Sequence, residues 1–469
     1  MQNILFEHLE NAGLVRRGQP QLSRIYSLTA EEIAELGSES ELITSVSELP
    51  REQGAFAHSA TLSLGGGRTP CATVECRMRH ADRLTSFATL LSDRVYVHNF
   101  LSDHADPPPP GDVAELDERR AVLAEDIHVL LRLRPLIEAN LVVPVSSTAA
   151  YCDYRCIALG AFGPESERRF ERERRRLEGR YLREVEVFAQ EFDGKFAVEC
   201  FACEELLEHG TSFKTYLTTP APLARMPRLL QSVRSGKRIR LSSDVKRKLG
   251  GHKDFADEVL RSIMFEMATA QALGTAYLSE RELPIKVLNA ISGSPLISQR
   301  NEMLQRHLTV AIPFAADLPL GRLIQLRQRE EEAFLLFRRA LTRAADHVKA
   351  EGNDLLEKHA QQIYSDVIAP ELARLDRTVI TAKRGLVRSL GRSATAWVGA
   401  ISFGMYTGML PAELLAAAKA LGMTKILADL GETAAQLRNT EANIQSEDMY
   451  FLWKVRELSR AHSESRLIT

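Results

Sequence analysis

Six cysteines in three close pairs are the residues best suited to metal chemistry. The pairs are Cys71/Cys76, Cys152/Cys156 and Cys200/Cys203. The Cys200-x-x-Cys203 spacing is that of a zinc-knuckle half-site, and Cys152 with Cys156 could complete a four-thiolate tetrahedron. Free cysteine is also among the most buried residue types, and Phe201 and Ala202 are typical of a strand or core. Structural zinc and plain buried thiols therefore both remain open for these four residues.

Catalytic motifs of the common enzyme classes do not occur in the chain. It contains no His-Glu-x-x-His, no Gly-x-Ser-x-Gly and no Walker lysine. The segment Asp193-Gly194-Lys195 could offer a carboxylate and a lysine to a magnesium-dependent nuclease, but Asp-Gly between strand-like runs favours a hairpin. Gly65-Gly66-Gly67 lacks the Gly-Lys-Ser/Thr ending of a phosphate loop, so we expect a second hairpin there. We assign no catalytic residue, and the absence of these motifs favours a protein that is not an enzyme.

A basic run over 225–253 could contact an anionic surface. It carries ten Lys or Arg residues and one acid, Asp244. The candidate contacts are Arg234, Lys237, Arg238, Arg240, Lys246, Arg247 and Lys248. The run has no aromatic residue to stack on a base, which argues against single-stranded nucleic acid. A basic surface that docks on an acidic protein domain, or is simply solvated, explains the run equally well.

The segment 393–412 is a stretch of twenty uncharged residues after a basic flank. Twenty residues is about the length that crosses a bilayer, and the spacing of Ala400, Gly404 and Gly408 allows close helix approach. Eight of the twenty are Gly, Ser, Thr or Pro, which work against insertion. We therefore expect a packed helix pair or conditional membrane contact rather than a permanent span. The candidate contacts are Arg384, Arg388, Arg392, Trp397, Phe403, Gly404 and Gly408.

Composition places the chain among ordinary globular proteins. Its 469 residues are 45% apolar and 26% charged, which excludes wholly disordered and collagen-like chains. The net charge is only −2, so charge gives no indication of a binding partner. Six cysteines are too few for a disulfide scaffold, and the first residues lack a signal-peptide pattern. We expect a cytoplasmic protein that can associate peripherally with a membrane.

Patterning predicts an α+β fold: a mixed α/β N-terminal half and a mainly helical C-terminal half. The proline tract within 106–111 suggests domains over 1–105, 111–318 and 319–469. Strands are expected at 94–100, 141–145 and 195–201, and Asp254 is expected to cap a helix that Gly274 stops. After Pro319, two narrow apolar stripes predict a long antiparallel two-helix hairpin with coiled-coil character.

These features favour a non-catalytic interaction or effector protein of a bacterial kind. Its glycine-rich segment would engage a membrane conditionally, by analogy with toxins and phage-defence effectors. One alternative is a zinc-containing protein that binds or processes nucleic acid, and another is a scaffold subunit of a complex. No cofactor other than zinc is indicated. A protein partner comes first among the expected partners, followed by an anionic membrane and then nucleic acid.

Overall fold

The chain forms an α+β structure, as the sequence predicts. The computed structural model describes residues 2–45, 49, 52, 56–68, 71–107, 113–146, 153–192, 194–216, 225–279, 281–293, 320–347, 364–377, 380 and 447–467. The chain divides into two compact units, Met1–Arg306 and His307–Thr469. Every strand of the described residues precedes residue 279. The connection and more than half of the second arm of the predicted two-helix hairpin lie outside the described residues, so its antiparallel arrangement stays a prediction.

The first unit carries eleven labelled helices and ten strands among its described residues. The helices are α1 Gln2–Asn11, α2 Leu22–Ile25, α3 Ala30–Ile43, α4 Val74–Leu90, α5 Val113–Glu138, α6 Tyr154–Phe162, α7 Glu165–Glu184, α8 Pro227–Arg234, α9 Ser243–Leu249, α10 Gly251–Leu273 and α11 Glu282–Ser292. The strands are β1 Val15–Arg16, β2 Gln19–Pro20, β3 Ala57–Ala60, β4 Arg94–His98, β5 Val142–Val145, β6 Glu186–Phe192, β7 Lys195–Phe201, β8 Thr211–Tyr216, β9 Ile239–Arg240 and β10 Ala276–Leu278.

Four parallel strands form one sheet in the order β10-β3-β4-β5. Strands β3 and β5 are both buried along their whole length, as expected when helices cover both faces of a parallel sheet. In the sequence, β4 precedes the proline tract and β5 follows it, yet the two strands pair with each other, with Val95 opposite Val142. The domain boundary expected at 106–111 thus falls between two segments that share this sheet.

The strand order creates a switch point between β3 and β10. From β3 the chain steps to β4 and then β5 in one direction, whereas β10 is added on the other side of β3. In open α/β sheets, a crevice forms outside the carboxyl ends of the two strands at such a point. The residues that follow β3 and β10 therefore occupy the place where this class of sheet binds ligands.

The hairpin predicted at Gly65-Gly66-Gly67 is wrong, because the glycines join strand β3 to helix α4. A side chain at either of two glycines would collide with its surroundings. Gly66 has φ +88°, and a Cβ there would lie 2.7 Å from Val129 Cγ1. A Cβ on Gly67 would lie 2.6 Å from the Leu62 carbonyl oxygen. All three glycines are buried, so their role is close packing of the strand-to-helix connection.

A buried charge network fixes this connection to α4 and α5. Arg77 Nε donates to the Gly66 carbonyl at 2.8 Å, and its Nη2 lies 2.5 Å from Asp126 Oδ1. The other oxygen of Asp126 pairs with His104 Nε2 at 2.8 Å. The side chains of Arg77 and Asp126 are 0% exposed, so the network is held in a medium of low dielectric.

An antiparallel sheet in the order β8-β7-β6-β9 lies between β5 and β10 in the chain. The hairpin predicted at Asp193-Gly194 is confirmed, since β6 and β7 pair through Phe192 and Lys195. Gly274 stops α10 in the left-handed conformation, as predicted. The expectation for Asp254 is wrong: α10 begins three residues earlier at Gly251, so Asp254 lies inside its first turn.

Three labelled helices belong to the described part of the second unit. They are α12 Leu320–Arg329, α13 Glu331–His347 and α14 Tyr450–Leu467, beside a π-helical turn at Tyr364–Ile368 that continues helically over 369–377. Phe451 packs its ring 5.3 Å from Phe334 and 5.8 Å from Phe337. Glu330, which lies between α12 and α13, pairs with Lys454 Nζ at 2.5 Å.

Candidate metal centre

Two cysteines and a histidine meet at the start of helix α4. The Sγ atoms of Cys71 and Cys76 and one ring nitrogen of His209 all lie within 4.8 Å of one another. Among the described residues, this is the group of three whose ligand atoms are close enough to share an ion. Cys71 is half-buried, Cys76 is buried and His209 is exposed, so the cluster is reached from solvent on one side.

The start of helix α4 positions two donors. Cys76 lies in its first turn, and His80 follows four residues later on the same helix face. Cys76 Sγ lies 3.3 Å from His80 Nε2, and both side chains are buried. Arg77, adjacent to Cys76, is locked by the buried network, which fixes the first turn of α4 against the glycine connection.

The third donor comes from the antiparallel sheet. His209 lies in a 3₁₀ turn, Glu208–Gly210, between β7 and β8, and its Nε2 lies 3.1 Å from Cys76 Sγ. Its φ of 59° is the left-handed conformation, which costs a non-glycine residue about 1–3 kcal/mol and is concentrated at functional sites. The cluster thus connects two segments that lie 133 residues apart in the chain.

The donor set fits a borderline-soft divalent ion. Thiolate and imidazole ligands select zinc over magnesium or calcium, which prefer oxygen. Tetrahedral zinc, with bonds of about 2.3 Å to sulfur and 2.0 Å to nitrogen, places a sulfur and a nitrogen ligand about 3.5 Å apart. The two sulfur–nitrogen distances from Cys76, 3.1 and 3.3 Å, are close to that edge. The described residues therefore contain a possible Cys2His site.

Of the thiols that the sequence singled out for zinc, the three in the described part of the chain, Cys156, Cys200 and Cys203, do not form a group of metal ligands. Cys200 is buried in β7, where its Sγ contacts the Tyr181 hydroxyl at 3.7 Å and burial raises the pKa of its thiol. Cys156 and Cys203 are exposed and join no group of three metal ligands among the described residues. Cys152 lies outside those residues. Cys71-x4-Cys76-x3-His80 was the available sequence signal, whereas the loop position of His209 gave none.

Four of the seven candidate contacts of the basic run form ion pairs or hydrogen bonds within the antiparallel sheet and its helices. Arg238 donates to Glu199 Oε2 at 2.9 Å and lies over the Phe188 ring at 4.0 Å. Lys246 is buried and donates to the carbonyls of Leu182 and Val185, both at 2.7 Å. Two further candidates form ion pairs, Arg240 with Glu186 and Arg247 with Asp244. Exposed side chains remain at Arg234, Lys237 and Lys248.

The predicted membrane contacts cannot be placed from the described residues. Segment 393–412 and the contacts Arg384, Arg388, Arg392, Trp397, Phe403, Gly404 and Gly408 all lie outside them. Within the described part of the chain, no helix combines the length and apolarity that crossing a membrane requires. Conditional membrane contact by this segment therefore stays a prediction.

A histidine–carboxylate pair lies at the carboxyl end of β4. His98 Nε2 lies 2.7 Å from Asp103 Oδ1. Burial alone would lower the pKa of His98, but the Asp103 charge and hydrogen bond outweigh it and raise that pKa above its usual value. Burial alone would raise the pKa of Asp103, but the charge and hydrogen bond of His98 outweigh it and lower that pKa below its usual value. The pair thus favours its charged form.

Comparison of the chain with protein families, with curated proteins and with solved structures gave no match.

Proposed function

We propose that this chain is a zinc-binding protein in which the metal is structural. Cys71, Cys76 and His209 are the ligands. His80, whose Nε2 lies 3.3 Å from Cys76 Sγ but outside the group of three, would move closer to supply a fourth donor from the buried side. The observation that carries the proposal is the convergence of two sulfurs and a ring nitrogen within 4.8 Å from two distant segments. A four-coordinate Cys2His2 set is typical of closed structural zinc sites.

The metal would join the connection after β3 to the loop between β7 and β8. These segments belong to different sheets, and zinc bonds hold them more firmly than the contacts of an exposed histidine can. Folding free energy then includes the binding free energy of the metal, as in other small metal centres. Bonding to the metal would offset the strain of the left-handed backbone conformation of His209.

Metal content of the purified chain tests the proposal. We expect about one zinc per chain by elemental analysis, and loss of that zinc in Cys76→Ser. The matched control is Cys203→Ser, an exposed thiol in the same β7–β8 connection, which should retain full zinc. Zinc-free wild type, or zinc that survives Cys76→Ser and disappears in Cys203→Ser, contradicts the site. The second result would instead support the four-thiolate set of Cys152, Cys156, Cys200 and Cys203.

His80 is tested separately from the three clustered ligands. We expect His80→Ala to keep the fold but to bind zinc more weakly than wild type, measured by competition with a chromophoric chelator. Cobalt substitution provides the geometric readout, because tetrahedral thiolate coordination gives intense visible absorption that a six-coordinate site lacks. Unchanged zinc affinity in His80→Ala removes His80 from the ligand set and leaves an open position.

A further inference from the structure

A cavity lies at the switch point of the parallel sheet, separate in its lining from the metal ligands. Its volume is about 220 Å³, enough for several water molecules or one compact organic molecule. Thr61 and Ser63, which follow β3, line one side, and Arg281, which follows β10, lines another. This is the position at which open α/β sheets bind their ligands.

Helix α10 presents a row of polar side chains to the cavity. Asp254, Glu258, Ser262 and Glu266 are spaced four residues apart, which places them on one helix face. A parallel row, Phe255, Val259 and Ile263, supplies the apolar part of the same wall. The ligand therefore meets acidic and apolar groups side by side along the helix.

The inner end of the acidic row is a fixed part of the fold. Glu266 accepts hydrogen bonds from the Leu62 amide at 2.7 Å and the Tyr277 hydroxyl at 2.6 Å. Burial raises the pKa of its carboxyl group. The exposed carboxylates of Asp254 and Glu258 then remain to contact a ligand, and Arg281 is the one basic side chain in the described lining. The acids outnumber the base, which disfavours an anionic ligand.

Two aromatic rings lie beside the acids. Tyr181 and Phe255 line the cavity, and their ring centroids are 5.4 Å apart. Aromatic faces next to carboxylates are the surroundings that bind organic ammonium groups. The carboxylates of Asp254, Glu258 and Glu266 are not close enough together to share a metal ion. Among the described residues, only Cys71, Cys76 and His209 form a group with that spacing.

We propose that this cavity binds a compact organic cation, a small amine whose ammonium group contacts Asp254 and Glu258. Its apolar body packs on Phe255 and Val259, and the hydroxyls of Thr61 and Ser63 contact polar groups at its far end. The volume limits the ligand to a monomeric amine, since it is below the range typical of drug-sized ligands.

Matched probes distinguish a cation site from a general pocket. Tyramine and 4-hydroxyphenylacetate share a phenol body and differ in the charged end, and both are titrated calorimetrically into the full chain as purified. We expect tyramine to bind at least tenfold more tightly than 4-hydroxyphenylacetate. No tyramine binding, or equal or tighter binding of the carboxylate, overturns the proposal.

Variants locate the binding in the cavity. The double variant Asp254→Asn, Glu258→Gln keeps the size of both side chains and should weaken tyramine binding about tenfold or more, because neutral amides replace both charge-assisted contacts to the ammonium group. The control is Asp244→Asn, an exposed acid on α9 that does not line the cavity. Tyramine binding that is equal in the double variant and wild type overturns the assignment of the site. Zinc content is measured on the same samples, so loss of the metal is distinguished from loss of the amine site.

Discussion

Replacing Arg77 with methionine should destabilise the first unit far more than removing a similar surface arginine. Methionine keeps an unbranched apolar stem, so the variant chiefly deletes the guanidinium. Asp126 is 0% exposed and would lose the partner at 2.5 Å while keeping His104 at 2.8 Å. Removing one member of a buried ion pair costs about 3–5 kcal/mol, a large share of a typical unfolding free energy of about 5–15 kcal/mol.

The chain offers a matched control between the same two helices. Arg132 of α5 pairs with Asp82 of α4 at 2.7 Å, but both side chains are about half exposed, at 52% and 50%. Exposed pairs contribute about 0–1 kcal/mol, so Arg132→Met should be nearly neutral. The two variants should thus differ by about 3 kcal/mol, or more than a hundredfold in the unfolding equilibrium constant.

Hydrogen exchange followed by mass spectrometry measures the difference where it arises. Peptides that cover α4 and α5 report the first unit, whereas both tryptophans, Trp397 and Trp453, belong to the second and would not report it by fluorescence. Equal exchange in Arg77→Met and Arg132→Met would refute the reasoning from burial. Adding Asp126→Leu to Arg77→Met should recover part of the loss, because no buried charge is then left unpaired.

Three further predictions concern other parts of the chain. His98→Asn should remove stability that wild type has below about pH 6.5 and loses as pH rises through the raised pKa of His98, measured as the melting temperature at pH 5.5 and 8.5; equal pH dependence in both proteins contradicts it. Lys246→Met should cost about 1–3 kcal/mol in urea denaturation because the buried carbonyl of Val185 and the partly buried carbonyl of Leu182 lose their donor, whereas the exposed Lys248→Met on the same helix should cost under about 0.5 kcal/mol. Anionic liposomes should sediment the full chain at low salt, and deletion of 393–412 should abolish this; no sedimentation of the full chain ends the membrane hypothesis.

Local sequence signals predicted those elements whose structure depends on neighbouring residues. The β6–β7 hairpin and the glycine stop of α10 follow from backbone preferences alone. The glycine triplet was misassigned because the same preference serves a hairpin and a strand-to-helix connection. What decides between them is that α4 packs against α5 and buries Arg77 against Asp126, a contact between residues 49 positions apart.

The metal centre shows the limit of spacing as a guide to chemistry. Cys200-x-x-Cys203 has a metal-like spacing, but β7 buries Cys200 among core side chains and leaves Cys203 exposed. Cys71 and Cys76 have a looser spacing and still meet, because a loop and a helix start place their sulfurs together. A pair of cysteines near in sequence can be positioned by local structure, but its other ligands are chosen by the fold.

The α+β class, the positions of several strands, the charge balance and the four-residue spacing of Asp254 and Glu258 on α10 all follow from the amino-acid order. These properties depend on composition and on periodicity within one element. Three other features come from the folded chain: β10 lies beside β3, His209 reaches Cys76 across 133 residues, and the acidic row of α10 lines a cavity. Each of these depends on contacts between distant segments, and burial of many side chains together, rather than any local pattern, selects such contacts.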